Sequence, residues 1–464
     1  MRLLHASSQV SVRFDEPNLV SCAGLVPLMR LAARCGLPAL VSAGLTLAGG
    51  AGAFAAEKVM ALLAGMAAGG DSIEDMDLLR HGGMRRLFSG VRAPSTLGTF
   101  LRAFTFGHVR QLDSVAAALL ARLAGPAPLL AGREAVAFVD VDDTVKPVYG
   151  YHKQGAGHGH TGVKGLNALL ATISTPTGAP LIAATRLRRG ACHSARGAAR
   201  LVADAVRTAR RAGATGLLIV RADSAYYGYE VVAAARRANA RFSVTARLTP
   251  AVTRAIAAIG DDAWAPIRYP DAVWDDDEGR WISDAEVAEI GYTAFTGRKN
   301  SEHVTARLIV RRVRRLNVTS GCGASAEQAE LFAAYRYHAC FSDSPLELLQ
   351  AEACHRGHAV VEQVIADLKA GPLAHLPSGS FAANAAWLVL AAMAFNLTRA
   401  AGSLASAHHA KATTATVRRE LLAVPARLAS SARRLVVHLP RDWPWETAWQ
   451  RLHSATHVPP PLAA

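Results

Sequence analysis

The chemistry this sequence could perform is concentrated in its carboxylates. Asp140, Asp142 and Asp143 close the apolar run AVAFVDVDDT (135–144), and Asp223 closes the run GLLIVRADS (216–224). If both runs are buried strands, side-chain alternation puts Asp140 and Asp142 on one face and Asp143 on the other. Acids at the C-terminal ends of neighbouring strands lie at the sheet edge where α/β folds place their sites. A strand-end Asp is also a common helix cap or turn residue, but two adjacent strand ends closed by Asp fit that explanation less well. Clustered hard carboxylate oxygens suit Mg²⁺ or Mn²⁺, and a pair of such ions suits displacement at a phosphodiester. A third acid is offered by HRGHAVVEQVIADLK (355–369). Read as one helix, it sets His358, Glu362 and Lys369 on one stripe beside an apolar stripe of Val361, Ile365 and Leu368. An isolated helical Glu is usually a solvated one, so Glu362 gains meaning only from Asp142 and Asp223.

Taken together these residues resemble a known family. The order Asp142-Asp143-Thr144 after an apolar strand, Ala222-Asp223-Ser224-Ala225-Tyr226, and Glu362 followed by Lys369 is similar to the DDE-domain group 1 insertion-sequence transposases. So are VYGYHKQGAGHGHTGVKGLNALLA (148–171) and HRGHAVVEQVIADLKAGPL (355–373), and the resemblance runs from about Ser8 to Trp449. It implies a ribonuclease-H-like α/β core and two Mg²⁺ or Mn²⁺ ions on Asp142, Asp223 and Glu362. It also implies DNA partners, namely terminal inverted repeats and target DNA, which are cut and joined at one site. Catalysis at two element ends implies a homodimer on DNA. Lys369 is then the first candidate for a phosphate contact, and Lys164 in HTGVKG the second. Where relatives carry Tyr and Arg on the Glu362 helix this chain has His355 and His358, with Arg356 adjacent. Histidine bonds phosphate as a cation only when protonated.

The elements that must position these residues follow a readable order. Residues 1–130 read as helical, a candidate DNA-binding domain or a plain support. Residues 131–261 alternate strands and helices as the first part of the core. The stretch 262–341, with Trp264, Trp274, Trp281 and TARLIVRRVRR (305–315), reads as a β-rich insertion. Residues 342–405 return to helix and carry Glu362, and 406–464 form a basic C-terminal segment. Two arginine clusters are backbone-contact candidates or solvated faces: Arg307, Arg311, Arg312, Arg314 and Arg315, and Arg418, Arg419, Arg427, Arg433 and Arg434.

Composition sets the frame. Lys and Arg number 51 against 36 Asp and Glu, a formal charge of +15 that favours polyanionic partners. Six scattered cysteines without a C-x-x-C pair read as reduced thiols. No secretory leader is visible, and the apolar run Ala385–Phe395 is short for a membrane span, so a cytoplasmic, nucleoid-associated protein is expected. His152, His158 and His160 lack a metal-ligand spacing. Two competing readings remain. Asp140-Val-Asp142-Asp143-Thr144 also matches haloacid-dehalogenase-like phosphatases, with Asp140 as nucleophile, Asp142 as general acid, and Asp261, Asp262 or Asp271 as the later acids. The other is a catalytically inactive DNA-binding relative.

Overall fold

The computed structural model describes residues 4, 9–150, 152–159, 162–267, 274–275, 280–281, 285–314, 335–431 and 434–457. His160, Asp271, Arg315, Cys322 and Arg433 lie outside them, as do the side chains of Trp274, Trp281 and Arg314.

A ten-stranded mixed sheet organises the chain. Its first half is β1 (Val136–Pro147), β2 (Lys164–Ser174), β3 (Leu181–Arg189), β4 (Leu217–Ala222) and β5 (Arg241–Ala246). The spatial order is β3-β2-β1-β4-β5: β2 is antiparallel to both its neighbours, while β1, β4 and β5 run parallel. The hairpin order follows from the Pro-Thr-Gly turn between β2 and β3. The parallel crossovers follow from α1 (Ala198–Arg211) and α2 (Tyr229–Arg237), which occupy the two later connections. In α1 the buried Leu201, Val202, Ala205, Val206 and Ala209 recur at helical spacing, so one face packs and the arginines stay outside. Each large aliphatic buried this way contributes about 1.5–3 kcal/mol.

Every residue of β2 after Lys164 is buried, which means both of its faces are covered. One cover is α1; the others are α3 (Val360–Lys369) and α4 (Phe381–Ala405), which pack on β1, β2 and β3. α4 is long and apolar enough to cross a membrane by length and composition, yet 89% of its apolar window is buried inside the fold. The buried Asn396 has its partners in β3: the side chain accepts from the Ile182 N–H at 2.8 Å and donates to the Ile182 carbonyl at 2.8 Å. That satisfies backbone groups of β3 where its pairing with β2 slips.

The β-rich stretch continues the same sheet. Strands Ala265–Ile267, Ala285–Ala294, Val304–Arg314 and Tyr335–Ser342 add one after another onto β5, all antiparallel. Leu308 and Phe341 in these strands join the core that holds Phe242 of β5. The N-terminal helices are likewise part of the main body. Leu25–Arg34, Ala55–Ala68 and Phe106–Leu123 pack around α4, and Leu19–Val20 pairs with Ala426–Ser431 from the far end of the chain. The five described cysteines are free.

One expected element is broken. The stretch read as one helix over 355–369 is shared between two, Leu348–Arg356 and α3, joined by a 3-10 turn at Gly357–Ala359. Arg221 causes the break: its Nη1 donates to the Cys354 carbonyl at 2.5 Å, taking the acceptor that a continuous helix would use. A Cβ at position 357 would lie 2.9 Å from that Nη1, so glycine suits the crossing.

Candidate active site

β1 and β4 are parallel neighbours in the register Asp140 to Arg221 and Val141 to Ala222. The next residues in each strand direction, Asp142 and Asp223, therefore emerge together at the same sheet edge. Asp142 is partly buried and accepts from the Asp143 N–H at 2.7 Å. Burial pushes its carboxyl up to about 7, against that hydrogen bond, and the charges of Asp223, Asp143 and Glu362 push it further the same way. Asp223 accepts from the Ala225 N–H at 2.9 Å and so caps the 3-10 turn Ser224–Tyr226. Burial raises its carboxyl too, opposed by the Ala225 bond and the nearby His358.

Glu362 stands exposed in the first turn of α3, whose Val361, Val364, Ile365 and Leu368 are buried below it. It faces Asp142 closely enough to load that carboxyl with repulsion. The three acids are grouped but open. Among the described residues, the trio whose ligand atoms all lie within 4.8 Å of one another is His408, His409 and Glu420, not these acids. Lys369 is exposed at the far end of α3. It is coupled to Lys146, whose ammonium is held below its usual range first by burial and then by Lys369. Lys146 lies on the Asp142 face of β1, four residues further along the strand, with Lys369 and Asp71 for charged neighbours. Sequence reading missed Lys146; the period-two alternation 142, 144, 146 would have found it.

The other two aspartates of the cluster are occupied. Asp140 is fully buried and held bidentately by Arg221, with Nε to Oδ1 at 2.6 Å and Nη2 to Oδ2 at 2.8 Å. Arg221 also stacks 4.1 Å over the Phe138 ring. A sealed carboxylate locked on a guanidinium is not a nucleophile, so the phosphatase reading of Asp140 is corrected. Asp143 accepts from Arg188 at 2.5 Å, Asn167 at 2.5 Å and the Tyr226 hydroxyl at 3.1 Å. Arg188 and Asn167 are themselves buried, bonding each other at 2.7–2.9 Å. These two clamps fix the strand ends on either side of Asp142.

The remaining expected contacts divide. His358 reaches the site, because its charge bears on both Asp140 and Asp223. His355 does not: Ser243 and Thr245 engage its two ring nitrogens at 3.0 and 2.9 Å, and burial pushes it down to about 3. Both ring nitrogens are thereby engaged by β5. Arg356 pairs with Glu352 at 2.9 Å within its own helix. Lys164 donates to the Gly150 carbonyl at 3.0 Å, steadying the Gly/His loop. In the first arginine cluster, Arg307 pairs with Glu289, Arg311 with Glu352 and Arg312 with Glu286. Arg312 also lies 4.2 Å over Trp264. These arginines knit the sheet extension together rather than forming an open basic strip. Arg427 and Arg434, near the C-terminus, are exposed.

Residues 3–457 match the family described as Transposase DDE domain group 1. Seven solved chains are similar. One is the piggyBac transposase in a cryo-EM synaptic complex with hairpin DNA, at TM-score 0.38 and 10% identity over 85% of this chain and 78% of that one. No curated protein sequence matches.

Proposed function

The chain belongs to the transposase DDE domain group 1 family, and from that premise we propose that Asp142, Asp223 and Glu362 are its catalytic acids. The family makes it a DNA-cutting and transposing enzyme that works with divalent metal ions. The finer reading is an insertion-sequence transposase, cytoplasmic and nucleoid-associated, that binds terminal inverted repeats as a homodimer. We read its core as ribonuclease-H-like, supported by the order β3-β2-β1-β4-β5 with β2 alone antiparallel.

The observation that carries the site is Asp142, driven up to about 7 by burial with Asp223 and Glu362 against it. Carboxylates grouped so that they repel one another are a donor set that fits hard divalent ions. Asp142, Asp223 and Glu362 would hold two such ions, Mg²⁺ or Mn²⁺. Bound there, the pair would supply activation of the attacking water or 3′-hydroxyl and stabilisation of the leaving oxygen. The protein's own contribution is positional. The Asp140–Arg221 and Asp143–Arg188–Asn167 clamps hold the strand end that presents Asp142. Lys369, exposed on the helix that carries Glu362, and His358, near Asp223, are the candidates for phosphate contacts.

Cleavage of DNA carrying the element's ends tests this. Asp223→Ala and Glu362→Ala should each lower Mg²⁺-dependent nicking by on the order of 10³-fold while DNA binding persists. Unchanged nicking in either variant would sink the assignment.

A further inference from the structure

A second cluster of ligand-type side chains lies far along the chain from the acids. α4 ends at Ala405, and Ser406 then caps a short helix, Ala407–Lys411, that carries His408 and His409. Opposite stands Glu420, in the π-helical turn Arg418–Leu422. Such turns are rare and often accompany functional sites. His409 and Glu420 are 1% and 3% exposed, whereas His408 opens to solvent with its side chain 66% exposed.

The polar atoms here have a specific defect. His409 Nδ1 is taken by the Ser406 hydroxyl at 2.7 Å, which turns Nε2 toward Glu420. Nε2 lies 3.1 Å from Glu420 Oε2, yet both atoms are buried without a hydrogen-bond partner among the described residues. Their separation is right for a bond and their directions are not. Buried polar atoms are rarely left in that state. His408 Nε2 approaches the same Oε2 at 3.5 Å. The other oxygen, Oε1, is occupied by Arg419. Three ligand atoms, all within 4.8 Å of one another, thus surround one point.

We infer that His408, His409 and Glu420 form a metal site for one zinc-type divalent ion, held by two imidazole nitrogens and a carboxylate oxygen. The dimensions agree. Tetrahedral ligands at about 2.0–2.1 Å from Zn²⁺ sit roughly 3.3 Å apart, and the two nitrogen–oxygen separations of 3.1 and 3.5 Å bracket that value. The ion supplies the missing partner of both orphaned atoms, and the Ser406 hydroxyl plays the orienting part that ligating histidines need on their second nitrogen. Water from the open His408 side completes the fourth position. The donor set separates this site from the three acids, since imidazole favours Zn²⁺ and all-oxygen sets favour Mg²⁺. The site joins the end of α4 to the turn from which the C-terminal segment departs, so the ion would fasten that segment to the core.

Co²⁺ titration of the full chain tests the site, because cobalt in a tetrahedral nitrogen-containing set absorbs strongly in the visible and an octahedral oxygen set does not. One equivalent should develop the bands, Zn²⁺ should displace them, and Asp223→Asn should leave them unchanged. His408→Ala, at an exposed position that leaves folding intact, should abolish the bands and weaken Zn²⁺ binding by on the order of 10²-fold. Absence of the bands in the wild-type chain, or equal Zn²⁺ retention by wild type and His408→Ala, overturns the inference. DNA cleavage is read separately, so either outcome leaves the assignment of the three acids standing on its own test.

Discussion

Two aspartates separated by one valine in β1 meet opposite fates, and the difference is electrostatic. Asp140 is sealed from water and neutralised by Arg221, whereas Asp142 lies at the edge, loaded by the charges of Asp223, Asp143 and Glu362. Removing Arg221 leaves a buried charge without its partner. Arg221→Ala should therefore cost about 3–5 kcal/mol in urea unfolding, and Arg221→Ala combined with Asp140→Ala should recover part of it. The raised Asp142 carboxyl has the reverse consequence. Its folded pKa, about 7, exceeds the unfolded value near 3.9. The fold therefore holds the extra proton between those values, and stability falls as pH rises through that window. In metal-free protein at pH 8, Asp142→Asn should be more stable than wild type by about 1–3 kcal/mol. Mn²⁺ affinity should rise with pH up to about pH 7 and then level off, because the acid must lose its proton to ligate; calorimetric titration across pH 5.5–8.5 checks this. The two proposed aspartates were legible in the sequence because each closes a recognisable apolar run, and Glu362 was legible only in their company. Their clamps were not. Arg188, Asn167 and Arg221 meet the aspartates only through strand register and side-chain reach, which no local pattern encodes. The bonding of His355 to Ser243 and Thr245 has the same origin, since both lie on β5, more than a hundred residues away.

At the scale of elements, periodicity located strands and helices well and misjudged how they join. The first five strands appear where alternation and turn residues put them, because each carries its own signal. The β-rich stretch also appears, but its strands extend β5 instead of forming a separate layer. That follows from the inward residues of Val304–Arg314 and Tyr335–Ser342, which need the surface around Phe242 to bury Leu308 and Phe341. An isolated fragment of residues 262–341 should consequently remain unfolded, with little dispersion in its amide proton spectrum; a cooperatively folded fragment would contradict the shared core. The interrupted helix shows the same limit. Nothing in HRGHAVVEQVIADLK breaks a helix except one glycine, and the cause is a guanidinium from another strand.

For the whole molecule, a charge of +15 says that polyanions are favoured without saying where. Arg307, Arg311 and Arg312 of the first arginine cluster prove to be internal wiring, paired with Glu289, Glu352 and Glu286. Phosphate contacts are better sought beside the acids. Lys369→Ala should weaken DNA binding and reduce the slope of log affinity against log salt by about 1, while Arg312→Ala should leave that slope unchanged. The N-terminal helices close around α4 and the C-terminal strand returns to Leu19–Val20, so both ends of the chain are tied into the main body. The most direct test of the central claim is anomalous scattering from Mn²⁺ in crystals of the full chain bound to DNA. Peaks enclosed by Asp142, Asp223 and Glu362 are expected, and they should vanish in Asp223→Ala. Manganese bound elsewhere on a catalytically competent complex, with no density at these three acids, would contradict the account.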